Sequence, residues 1–208
     1  MNHAKIQLST HEKELVNNAE WLLVKRDIIQ KVYELFGQVQ QQYKDIITQD
    51  QQQHLFPATG GKISRGENYR GLPYVILDYP ALFEKGHTFA VRTLFWWGHF
   101  ISISLHLSGR YLPAADRLLQ SIPVLKENNF YVCLHHSEWE HTFDDGNFIP
   151  SADLEEVQWQ QVINKDFFKI SSQISLEHWD EVPAFLEKRF RSINRFVVNC
   201  RPGGETGL

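Results

Sequence analysis

Residues 135–141, HHSEWEH, bring together the chain's densest set of potential metal ligands: His135, His136, Glu138, Glu140 and His141. Imidazole and carboxylate together suit zinc or another transition metal. The spacing is not H-E-x-x-H, and nothing in it forces three ligands onto one side of a strand or helix. A structural or solvated histidine cluster at a strand end is therefore the simpler reading, and no metal is assigned.

Ser102, Ser104 and His106 alternate along one apolar run, so on a strand they share a face, with neighbours ~7 Å apart. A hydroxyl beside an imidazole could do nucleophilic chemistry. No G-x-S-x-G elbow exposes either serine, which favours hydroxyls on a half-buried sheet face. Arg92 lies in the same run, and a buried guanidinium needs a carboxylate, for which Asp78 and Glu84 are the candidates, or else an anionic ligand. Residues 62–71, KISRGENYRG, carry three cations and two glycines but neither P-loop nor dinucleotide spacing, and read as a solvated loop.

These groups must be positioned by residues 88–108, TFAVRTLFWWGHFISISLHLS, a run of β-branched and aromatic residues interrupted only by Gly98. The run is too long for one strand and predicts a hairpin. With Gly98 and His99 as a two-residue turn, Trp97 opposes Phe100 and Trp96 opposes Ile101. One face then carries Trp96, Leu94, Arg92 and Ala90 with Ile101, Ile103, Leu105 and Leu107, and is expected to be core. The other carries Thr93, Phe95 and Trp97 with Ser102, Ser104 and His106. Aromatic rings among a few polar groups suit the wall of a small-molecule pocket, so these six residues are the candidate ligand contacts.

Around the hairpin, Ser9 and Glu12 have capping-box spacing. Leu15, Ala19, Leu22, Ile29, Val32, Phe36, Val39, Tyr43 and Ile46 form a helical stripe, predicting a short helix and then a long one over 20–48. Strands are expected at 72–78, 130–136 and 167–174. Helices are expected at 113–120, stopped before Pro123; at 151–163, with Leu154, Val157 and Val162 inward; and from Asp180 onward, with Leu186, Phe190, Ile193 and Val197 inward. The order lacks βαβ alternation. It predicts a single α+β domain over 1–200, an antiparallel sheet of four to six strands built around the central hairpin and covered by long N- and C-terminal helices, with a disordered tail at 201–208.

Composition narrows the function. A net charge of -4 gives no basic surface for nucleic acid. Cys133 and Cys200 are too few and too far apart for a disulfide framework. The first residues lack a signal-peptide core and no run is long enough for a membrane span, so a soluble, cytoplasmic protein is expected. Two functions compete. One is a binding or interaction module without metal or redox cofactor, taking a small apolar ligand. The other is a hydrolase using His106 or a metal held by the run from His135 to His141. A homodimer through the long N-terminal helix is a further expectation.

Overall fold

A computed structural model describes residues 6–51 and 55–200. The expected tail beyond residue 200 lies outside the described residues. In chain order the helices are α1 (Thr10–Val16), α2 (Ala19–Gln49), α3 (Ala115–Glu127), α4 (Glu156–Ile163) and α5 (Val182–Cys200). The strands are β1 (Lys62–Tyr69), β2 (Leu72–Glu84), β3 (His87–Trp96), β4 (Phe100–Ser108), β5 (Tyr131–Cys133), β6 (Phe148–Pro150) and β7 (Phe167–Ser175). They form one antiparallel sheet in the order β1-β2-β3-β4-β7-β5-β6.

Seven strands exceed the expected four to six. The polar run at 62–71 is an edge strand, β1, turned into β2 at Arg70 and Gly71, both at positive φ as a type I′ hairpin requires. Gly66 faces the Tyr74 ring, and a Cβ there would sit 2.5 Å from it. β2 does not stop at Tyr79-Pro80 but passes them as a bulge opposite Val91, with pairing resuming at Ala81. A proline without an N–H is tolerated at such a bulge.

The central hairpin forms, but its register differs from the expected one by a residue. Trp96 pairs with Phe100, Phe95 with Ile101 and Arg92 with Ser104. The reason is where glycine sits in the turn. His99 N–H donates to Trp96 O at 3.1 Å, which puts Gly98, at φ +74°, in the third position of the turn rather than the second. Trp97 thereby joins the loop, and the one-residue slip exchanges the faces of β3 relative to β4. Phe89, Val91, Thr93 and Phe95 share the helix-covered face with Ile101, Ile103, Leu105 and Leu107, and all are buried. Arg92 and Trp96 lie on the opposite face with Ser102, Ser104 and His106.

α2 and α5 cover the first face. Phe36, Val39 and Tyr43 from α2 meet Leu186, Phe190 and Ile193 from α5, with the Tyr43 and Phe190 rings stacked at 3.9 Å. Full burial of each such side chain contributes about 1.5 to 3 kcal/mol. The Tyr43 hydroxyl is satisfied by Thr93 Oγ1 at 3.2 Å. The capping box at Ser9 and Glu12 starts α1 as expected. α3 runs through Pro123 instead of stopping before it, because Leu118, Ser121 and Leu125 are held inward while Pro123 lies on the exposed side. Leu154 and Val162 are buried as expected, but α4 begins only at Glu156, so Leu154 precedes it, and Trp159 takes the inward place expected of Val157, which is exposed. Among the described residues, no helix is long and apolar enough to cross a membrane.

Candidate functional site

The second face of the sheet is covered at its centre by residues 134–147, the connection from β5 to β6. Beneath this connection lie the buried polar side chains of Asp78, Ser104, His106, His141 and Lys169, with Arg92 partly buried among them. Each sits at an alternating strand position or on the covering loop. Lys169 lies between Phe168 and Ile170, whose side chains enter the helix-covered core, so strand alternation sends the lysine the other way.

Arg92 is opposite Asp78 on β2, and its Nε and Nη2 donate to the two carboxylate oxygens at 2.7 and 2.9 Å. The ion pair expected from the sequence is therefore present, on the polar face rather than on the apolar face first assigned to Arg92. Nη1 lies 3.3 Å from His141 Nε2. The guanidinium also stands 5.9 Å from the Phe83 ring and 5.7 Å from the Trp139 ring, within cation–π range of both.

Lys169 is 2 % exposed, and its Nζ reaches Glu138 O at 2.9 Å, Glu140 O at 2.5 Å and His141 Nδ1 at 3.3 Å. Arginine always donates, so His141 accepts at Nε2 and, as a neutral ring, carries its proton on Nδ1. A neutral amine can accept that proton while giving its own two hydrogens to the carbonyls. Burial accordingly brings the lysine down to about 7, with Arg92 adding repulsion. Burial holds His141 well below its ordinary range, and so do Arg92 and Lys169, the latter being charged at the acid pH where the ring would protonate.

His106 Nε2 is 2.8 Å from Glu138 Oε2. This contact alone would favour an imidazolium, but burial, then Lys169 and Arg92, outweigh it and lower the ring to about 3. The contact is therefore a neutral imidazole donating to a carboxylate. Burial pulls Glu140 up, yet Tyr69 Oη, Thr142 Oγ1 and the backbone N–H groups of His141 and Thr142 all donate to Oε1 at 2.7 to 2.8 Å. They win, and Glu140 falls to about 2. Lys165 Nζ donates to Cys133 O and His135 O, so two lysines and one glutamate fasten the loop to the sheet.

A small cavity with room for about one water is lined by Phe83, Ala90, Arg92, Ser104, His106, His141 and Lys169. Phe83 in this lining is 45 % exposed, and Trp139, 47 % exposed, packs edge-on to His106 at 5.3 Å.

Of the six residues expected to contact ligand, the register slip separates three from three. Ser102, Ser104 and His106 lie on the polar face, and Ser104 and His106 line the cavity. Thr93 and Phe95 lie in the helix-covered core, and Trp97 in the loop packs edge-on to Trp21. Ser104 Oγ bonds Ser171 Oγ at 2.9 Å rather than His106. Among the described residues, no group of three or more His, Cys, Asp or Glu side chains could hold a metal ion. His135 accepts from Ser137 N–H within its own loop, whereas His141 points at Arg92 and Lys169. Sequence reasoning missed Lys169, Phe83 and Trp139. The alternation of Lys169 and Ser171 with apolar neighbours in β7 was the available signal for the lysine.

Compared with known proteins, the chain matches no family model, no curated protein and no solved structure.

Proposed function

We propose that the chain is a small-molecule-binding module whose site is the cleft at Phe83, Trp139, Arg92 and His106. One observation carries this reading: a cluster of ionisable groups, most of them buried, borders a cavity with room for about one water, with half-exposed Phe83 in its lining and half-exposed Trp139 packed beside His106 and Arg92. Buried ion pairs seldom stabilise a fold more than apolar side chains would, and such clusters concentrate at functional sites. Asp78 already neutralises Arg92, and Glu138 stands beside His106, so an uncharged ligand fits better than an ion. Its apolar ring would lie against Phe83 and Trp139, and one polar group would meet His106 or Ser104 after Trp139 turns aside. The hydrolase reading has the His106 and Glu138 pair in its favour, but the hydroxyl of Ser104, which lines the same cavity, is engaged by Ser171.

Thermal unfolding with indole, benzamide and benzyl alcohol, alongside benzoate as a charged control, tests this. At about ten times Kd, a binder raises Tm by roughly 3 to 6 °C. The rise should vanish in Trp139→Ala and His106→Phe. Absence of any shift or native-mass adduct with the three neutral probes would overturn the assignment.

A further inference from the structure

The apolar stripe of α2 divides in two. From Ile29 onward it is buried against the sheet and α5, whereas every residue from Ile6 to Val24 is exposed. Eight of the thirteen exposed large hydrophobic side chains among the described residues fall here, including Ile6 at 91 %, Val16 at 67 % and Leu22 at 58 %. Trp21, Leu22, Leu23 and Val24 are consecutive, so at about 100° per residue they surround the helix rather than mark one face. A helix apolar on all sides needs enclosure.

α1 makes the same demand independently. It has seven residues and no buried side chain, although it carries Leu15 and Val16. A helix far shorter than ~12 to 15 residues is marginal without tertiary packing, and its capping box alone does not supply that.

We propose that these two segments form a homodimer interface, in which α1 and the first turns of α2 from two copies pack as a four-helix cluster about a two-fold axis. The exposed apolar surface is on the order of the ~800 Å² that one partner gives to a standard interface. A second copy brings two apolar helical segments of matching length, which is what an all-round apolar helix and an unpacked short helix both require. The charges on these turns are mixed, with Glu12, Glu14, Glu20 and Asp27 against Lys13, Lys25 and Arg26. This lacks the basic excess of a helix that lies on an anionic membrane.

Sedimentation of the full chain across concentration tests the proposal, with amide exchange of residues 10–24 followed in parallel. A dimer in the micromolar range or tighter is expected, since standard interfaces span μM to pM. Protection of residues 10–24 should rise as dimer forms. Leu22→Glu combined with Leu23→Glu should weaken association ~100-fold or more. Leu15→Glu, in a helix that buries no side chain within the chain, should weaken it while leaving the amide protection of the strand residues 89–107 unchanged, which separates loss of the interface from loss of the fold. Three results would overturn it: a wild-type monomer at about 100 μM, well above that range; a dimer unaffected by all three substitutions; or a monomer that gains protection only on phosphatidylcholine vesicles.

Discussion

Asp78 and Arg92 are directly opposed on adjacent strands and joined by two hydrogen bonds, of 2.7 and 2.9 Å, beneath the loop that carries Trp139. The two partners are not equivalent. A stranded carboxylate can take up a proton, whereas a stranded guanidinium stays charged. Asp78→Ala is expected to cost about 3 to 5 kcal/mol and Arg92→Leu distinctly less. The double variant Asp78→Leu with Arg92→Leu should recover most of the loss, as read by urea midpoints. Equal costs for the two single variants would contradict a buried, mutually dependent pair.

Lys169 should give stability an alkaline slope. Its folded value of about 7 lies below the unfolded 10.5, so above pH 7 the unfolded chain binds more protons and stability rises with pH. Between pH 7 and about 8.5, below the thiol and phenol range, the urea midpoint should climb in the wild type and stay flat in Lys169→Met. A flat wild-type profile would mean the amine is charged in the folded state.

His106 and His141 act in the acid direction. Both are neutral when folded and have unfolded values of 6.5, so their contribution is fully present above pH 6.5 and is lost as pH falls toward the folded values, about 3 for His106. Between pH 6.5 and about 5, above the carboxylate range, His106→Gln should flatten part of the decline. If acid stability is the same in the variant, the ring is already protonated in the folded protein.

Glu140 gathers four donors at one oxygen, and Glu140→Ala would leave Tyr69 Oη and two loop amides without it. A loss of about 1.5 to 3 kcal/mol is expected, with faster amide exchange at residues 138–142. Unchanged exchange there would show that the two lysines alone hold the loop.

The hairpin illustrates what the sequence makes legible. Ile101, Ile103, Leu105 and Leu107 announce their buried face by alternation, and Ser102, Ser104 and His106 announce the other. Which residues of β3 join them depends on a single turn, and Gly98 satisfies a positive φ in either the second or the third position. That local ambiguity moves Arg92 across the sheet. Long α2 and α5 are readable from their periodicity, whereas β1 is not, because an edge strand needs no apolar alternation. Lys169 and His141 meet only through the path of the loop at 134–147, which no local pattern encodes.

The sheet's two edges bear on how the protein behaves when concentrated. β1 carries Lys62, Arg65, Gly66 and Glu67 and loses register before Tyr69, while β6 is three residues long and ends in Pro150, which has no N–H to donate. Charge, irregularity, brevity and proline are the features that deny an incoming strand a flat ladder to extend. Native molecules therefore lack a ready template for edge-to-edge stacking, and fibril growth from this protein would have to begin with the sheet already pulled apart.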